Sequence, residues 1–221
     1  ALAVPAIPRI DVNDNPVRWF KSDHEVRQAT EALNEVLPGT FAANIVLTAT
    51  QPGALTEAET LAAIESLEAA WAASPLVGSA GTLVDLTGGG TSGSEAAAAL
   101  DRALADSTLA RSLVTSEHSA ANLRLLLNDV DNRSMQEVID LTEAALAEQP
   151  FPAGVEWAWA GETYLNLVWQ EEMVDGMLTA FVSTLVIVFI LLALLFRSPG
   201  WALLAILPVL WTVVLVYGVM G

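Results

Sequence analysis

From Met177 to Gly221 the chain contains one charged residue, Arg197, set between two long apolar runs. The first run, Met177 to Phe196 (MLTAFVSTLVIVFILLALLF), has 20 residues and no charge, the length a helix needs to cross the hydrocarbon core of a bilayer. The second, Trp201 to Gly221, is again long enough to span, and Pro208 within it predicts a kink. Between them, Arg197-Ser198-Pro199-Gly200 reads as a four-residue turn. Proline and glycine interrupt helices, and arginine belongs at a membrane face. These features predict an all-α transmembrane helical hairpin, with the bilayer as its solvent.

The rest of the chain has the opposite character. All 26 acidic residues lie at or before Asp175, with eight of the nine basic ones, so this stretch carries a net charge of −18. Such a surface is unsuited to nucleic acid, whose phosphates call for lysine and arginine clusters. It is equally unsuited to lying on anionic lipid. The positive-inside tendency places Arg197 in the cytoplasm and the acidic flank, Glu171, Glu172 and Asp175, outside. The chain has no cysteine, so its fold relies on no disulfide. The apolar N-terminus, Ala1 to Ile7, lacks the basic region and cleavage site of a signal peptide. It is read instead as the outer end of a preceding transmembrane helix, and the whole chain as an internal piece of a larger membrane protein.

Local patterns divide the acidic part. Ser22 and Glu25 have capping-box spacing, and Val26, Ala29, Leu33, Val36 and Leu37 follow on one helical face before Pro38-Gly39. Ala43 to Ala49 reads as a strand. Thr56 to Glu59 looks like a second capping box, opening a helix with Leu61, Ile64, Leu67 and Trp71 as its buried stripe. Leu76 to Leu86 holds the next strand. The order then repeats: a strand at Ala121 to Leu127, a helix at Ser134 to Glu148 with Val138, Leu141, Ala145 and Leu146 inward, and a strand at Val155 to Trp159. Two β-α-β units predict an α+β domain of two split β-α-β subdomains. Thr87 to Gly93 (TGGGTSG) reads as a linker leading into an alanine-rich helix, Ser94 to Ala105. From Tyr164 the chain can run helical without a break to Phe196, a rod of roughly 50 Å at 1.5 Å per residue.

No catalytic, cofactor-binding or metal site is expected. Gly88-Gly89-Gly90 lacks the Lys-Ser/Thr that follows a phosphate-binding loop. Asp11, Asn13 and Asn15 imitate the start of a calcium loop, but Pro16 stands where its glycine should be and Ser22 where its glutamate should be. His24 and His118 have no spacing partner for a metal and read as surface histidines. The apolar runs contain no Asp, Glu, Lys, Arg or His, so this piece carries no proton relay of its own. What they do carry is a stripe of small residues at four-residue spacing, Gly176, Ala180 and Thr184, with Ser183 beside it. That is a face for close helix packing. The membrane turn at Arg197, Ser198 and Pro199 completes the candidate functional residues, with Trp169 and Trp201 as interface anchors.

Around the junction the residues resemble a known family. Trp159-Ala160-Gly161, Tyr164-Leu165-Asn166, Trp169-Gln170, Met173-Val174-x-Gly176-Met177, Leu195-Phe196-Arg197-Ser198-Pro199 and Tyr217-Gly218-x-x-Gly221 are similar to one half of a resistance–nodulation–cell division (RND) superfamily transporter, in its MMPL-type branch. The opening stretch, Val12-Asn13-Asp14-Asn15-Pro16-Val17-x-Trp19-Phe20 with Arg27-x-Ala29 and Leu37-Pro38-Gly39-Thr40, resembles the place where such proteins leave their first helix. The resemblance implies a preceding helix ending at residues 1–7 and an extracytoplasmic porter domain at 8–172. Transmembrane helices would follow at 173–197 and 198–221. It also implies a non-enzymatic, proton-driven exporter of lipids or other hydrophobic molecules in the bacterial inner membrane, with its relay carboxylates beyond Gly221. The expected partners are the bilayer, the remaining helices of the transporter, a hydrophobic or lipid substrate and another copy in a homo-oligomer; nucleic acid is excluded. The rival readings are a membrane-tethered sensor and a protein-binding domain.

Overall fold

The structure, a computed structural model, describes residues 13 and 15–220, with side chains through 216. It falls into two compact units, one ending at Leu167 and the other built from Val168 onward.

The first unit is organised by one four-stranded sheet. Its strands are β1 (Phe41–Ala49), β2 (Val77–Gly81), β3 (Ala120–Leu127) and β4 (Val155–Ala160), and they lie in the order β2-β3-β1-β4. All neighbouring pairs are antiparallel: Ile45 faces Leu123 on one side and Trp159 on the other, and Ala80 faces Leu125. Alternation decides what is buried. Ala43, Ile45 and Leu47 of β1, with Ala121, Leu123, Leu125 and Leu127 of β3, are buried, and the residues between them are not. With a period of two, those residues share one face.

That face is covered by α2 (Ala58–Ala72) and α6 (Asn132–Glu148), which pack against each other. From α2 come Leu61, Ile64, Leu67 and Trp71, all buried as the spacing predicts; from α6 come Val138 and Leu146, buried, with Leu141 and Ala145 half-buried. At the layer between the two helices Trp71 Nε1 donates to the Thr142 hydroxyl (2.9 Å), which donates to the Val138 carbonyl (2.7 Å). The one polar atom of the largest buried side chain is thereby satisfied, as burial requires.

Both β-α-β units are present, but they do not form two subdomains. β1 and β2 are separated by β3, and β3 and β4 are separated by β1. The units interleave in a single split β-α-β, or ferredoxin-like, sheet over one core. A strand of either unit alone would leave its edges unpaired; interdigitation fills the gap inside each unit with a strand of the other.

Smaller differences have local causes. The strand expected over Leu76–Leu86 stops at Gly81, because Thr82 caps a short helix, α3 (Leu83–Thr87). Its hydroxyl accepts from Val84 N–H (3.0 Å) while Asp85 accepts from Thr82 N–H (3.0 Å), a complete capping box. Gly78 lies at a bulge in β2, where a Cβ would come within 2.4 Å of the Pro38 carbonyl carbon. The cap of α2 is Glu57, and the Thr56 hydroxyl instead donates to the Gly53 carbonyl (2.8 Å). Helix α1 (Glu25–Val36) is capped by His24, whose Nδ1 accepts from Val26 N–H (3.2 Å), not by Ser22. The alanine-rich helix is α4 (Gly93–Asp106), followed by a short helix without a clear apolar period, α5 (Thr108–Leu113).

Helix α1 buries no residue: Leu33 and Val36 are 53% and 81% exposed. The flank beside the apolar stripe is the one engaged, where Asn34 donates to the Asn128 carbonyl and accepts from the Thr40 hydroxyl (3.0 Å).

Candidate functional site

The segment that carries the sequence's functional signals begins where β4 ends. Gly161 has a positive φ of 99°, and a Cβ there would lie 2.6 Å from Asn44 Nδ2. Glycine is required at this bend for both reasons. Helix α7 (Glu162–Phe196) starts at the next residue. Its first turn is tied to the sheet: the Thr163 hydroxyl donates to the Ala42 carbonyl of β1 (2.9 Å), Tyr164 stacks on Trp159 with centroids 6.2 Å apart, and Leu167 joins the core. The uninterrupted helix expected from Tyr164 to Phe196 is present and begins two residues earlier.

Beyond Val168 the helix changes character. Glu171, Glu172 and Asp175 are its last acidic residues, and from Gly176 to Phe196 it contains no ionisable side chain. Met177, Leu178, Phe181, Ile187, Leu191 and Leu194 are all exposed. Two hydroxyls in the apolar helices return to their own helix: Ser183 donates to the Ala180 carbonyl (3.0 Å), and in α8 (Pro199–Met220) Thr212 donates to the Pro208 carbonyl (2.9 Å). This internal satisfaction is what a medium without hydrogen-bonding partners demands. The two helices are long and apolar enough to cross a membrane. Gly176, Ala180 and Thr184 lie together along α7 and are exposed, and among the described residues nothing beyond the helix's own adjacent backbone comes within 4 Å of a Cβ built on Gly176.

The turn is shorter than the four residues expected. Pro199 and Gly200 already belong to α8, with proline at the first helical position where its missing N–H costs nothing. Only Arg197 and Ser198 connect the helices. Ser198 N–H bonds the Ala193 carbonyl (3.2 Å) and Arg197 N–H the Leu194 carbonyl (3.3 Å), the two bonds of a Schellman ending. Such an ending needs a left-handed residue, and Arg197 supplies it with φ 53°. Glycine is the usual occupant, so the guanidinium is held at the turn against a backbone cost of roughly 1 kcal/mol.

Among the described residues no group of three or more His, Cys, Asp or Glu side chains is placed to hold a metal. The histidines are separate from each other in role. His24 caps α1, while His118, with a left-handed φ of 50°, brings Nε2 to 3.2 Å from Asp101. With its side chain 12% exposed, His118 is not the surface residue expected. The calcium-like start falls partly outside the described residues. Asn15 within it bonds Asp129 through Nδ2 (2.7 Å), and Arg18 bonds the other oxygen of the same carboxylate (3.1 Å). This contact ties the entry segment to the loop after β3. Sequence patterns gave no sign of it, because the partners are more than a hundred residues apart.

One carboxyl is perturbed. Burial pushes Glu68 of α2 above the ordinary value of 4.5; the Thr82 hydroxyl that donates to it works in the opposite direction, and the charges of Asp85 and Glu65 raise it further. With the folded pKa raised, stability from this group is present below the unfolded value and lost as pH rises through the folded one. Glu68→Gln keeps an acceptor for Thr82 and removes the charge. It is expected to raise the melting temperature at pH 7, by less than about 1 kcal/mol in stability after solvent screening. The gain should shrink towards zero as pH falls to 4.5. Thermal melts of both proteins across that range check it; a gain that grows on acidification would refute the assignment.

A model of the MMPL family matches residues 18–221. No curated protein matches the chain.

Proposed function

This chain belongs to the MMPL family, membrane transporters of the RND type, and from that premise we propose that it serves in proton-driven export of lipids or other hydrophobic molecules. The observation that carries the reading is the unbroken match from residue 18 to 221, which takes in the split β-α-β unit and both apolar helices. In this reading the acidic unit is a porter domain outside the inner membrane and handles substrate. Helices α7 and α8 are the second and third of their transporter half, and α7 links the porter domain to the bilayer. No residue performs a covalent step. The proton relay is supplied by helices other than α7 and α8, whose described side chains include no ionisable group within the apolar stretches. Membership in a transporter family favours this reading over a tethered sensor.

Two measurements on the complete transporter test it. Reconstituted in vesicles, it should move a fluorescent lipid when an acid-outside proton gradient is imposed, and a protonophore should stop the movement. Transport indifferent to the protonophore refutes proton coupling, and absence of lipid movement removes lipids from the substrate class. For topology, Ser198→Cys should resist a membrane-impermeant thiol reagent applied to intact cells, because Arg197 faces the cytoplasm. Ready labelling would invert the arrangement and place the acidic unit inside.

A further inference from the structure

The chain passes between the two compact units twice. Asn13 belongs with the unit that contains α8 and Asn15 with the sheet; the second crossing lies between Leu167 and Val168. Both crossings are made fast at the same end of the sheet. Beside the second, Thr163 donates to the carbonyl of Ala42, which pairs with Leu126 of β3. Beside the first, the tie runs to Asp129, two residues beyond the end of β3 at Leu127.

Both oxygens of the Asp129 carboxylate are engaged there. Oδ1 accepts from Asn15 Nδ2 (2.7 Å) and from the N–H groups of Val130 (2.7 Å) and Asp131 (3.3 Å), and Oδ2 accepts from the Arg18 guanidinium (3.1 Å). Asn15 is buried, and its own Oδ1 caps the short 3-10 helix Pro16–Trp19 by accepting from Val17 N–H (2.9 Å). Asp131 in turn caps α6, accepting from Ser134 N–H (2.8 Å). The entry segment is thereby joined, through Asp129 and Asp131, to a helix of the core.

Apolar packing does not make this connection. Neither Pro16–Trp19 nor α1 buries a residue, and among the described residues no apolar side chain before Phe41 packs against the core. Near the far end of α1, Asn34 bonds the Asn128 carbonyl, so the stretch from 15 to 34 is tied at both ends to adjacent residues of one loop. The Arg18 side chain is 58% exposed, and an ion pair in that setting adds little to stability. What charge-assisted bonds do supply is a fixed geometry.

We propose that Asp129 is a positioning residue for transport. It clamps the entry segment to the sheet end beside which α7 starts, so that the sheet follows the membrane-spanning part through two straps and not through α7 alone. The role rests on the transporter reading. Motion carried along a contiguous network requires each of its links to hold, and Asp129 is the link at the first crossing.

Asn15→Cys with Asp129→Cys removes the clamp and lets a covalent one replace it. The chain contains no cysteine of its own, and a short bis-methanethiosulfonate bridges the two thiols until a reductant releases it. In the complete transporter reconstituted in vesicles, the unbridged double variant should move fluorescent lipid several-fold more slowly than the unmodified protein. Bridging should return most of the rate and reductant should take it away again, a reversal within one folded molecule that a purely structural residue would not give. Each single-cysteine variant, treated alike, should show no recovery. Hydrogen exchange reads the clamp without transport. The Arg18 and Phe20 amides, bonded to the Asn15 and Val17 carbonyls, should exchange several-fold faster in the unbridged variant and slow on bridging, while β1 and β3 stay protected. The proposal fails if the unbridged variant transports at the unmodified rate, or if bridging leaves the slow rate unchanged. It fails equally if bridging slows transport further, because the segment would then have to leave the loop during the cycle. Should the unmodified protein move no lipid, the substrate reading is lost on that result alone, and unchanged exchange at Arg18 and Phe20 would still refute the clamp.

Discussion

Replacing Leu178 with proline is expected to reduce export by the complete transporter to background. Leu178 lies inside α7, a helix that starts beside the sheet at Glu162 and ends at Phe196. Proline there removes a backbone hydrogen bond and clashes with the preceding turn, costing about 3 kcal/mol or more and kinking the helix. Ala180→Leu tests a different role of the same helix. It adds bulk on the Gly176, Ala180, Thr184 stripe, where a neighbouring helix of the transporter is proposed to approach closely, and should lower export without abolishing it. Far-UV circular dichroism and binding of a conformation-sensitive ligand or antibody to the outer unit control for misfolding in both variants. Full export by the proline variant would show that no rigid connection is needed, and the lever would have to be abandoned.

A second large effect is expected in the core. Trp71 is fully buried and occupies the contact between α2 and α6. Trp71→Ala deletes its ring and leaves a cavity, a change that costs about 3–5 kcal/mol. Against the 5–15 kcal/mol typical of a whole domain, that is enough to leave a substantial unfolded fraction under mild denaturant. Thr142→Val probes the hydrogen bond alone. It keeps the volume but strands the buried Trp71 Nε1–H, worth about 1–3 kcal/mol. Denaturant unfolding monitored by tryptophan fluorescence and circular dichroism would rank the two. A Thr142→Val variant as damaging as Trp71→Ala would mean that the polar contact, rather than packing, holds the two helices together.

The apolar lengths of α7 and α8 were legible because a helix satisfies its own backbone, so twenty uncharged residues carry their meaning without reference to anything else. The helices α2 and α6 and the strands around them were legible for a similar reason. Their periods of 3.6 and 2 are written in consecutive residues. Some local signs were present and overlooked: Thr82 and Asp85 have capping spacing, but they fall within an apolar run that reads as strand. Others were invisible. Arg197 takes a left-handed turn that its side chain disfavours, and it does so because the Ala193 and Leu194 carbonyls require an ending there. The apolar face of α1 resembles that of a core helix, yet the helix buries no residue and is held through Asn34, which bonds Asn128, 94 positions away.

By itself, the sequence determined most of the helices and strands, which part is apolar enough to cross a bilayer and which is acidic, and the resemblance of the chain to a transporter family. These follow from hydrophobic periodicity, chain length and charge, which act over one or a few turns. Only the tertiary structure decided that the two β-α-β units share one sheet, with β3 beside β1 and β4 left at the rim. Strand order is a choice among pairings between distant segments, each burying a similar apolar face. What selects one of them is the joint closure of α2, α6 and all four strands over a common core, a property that no single segment contains.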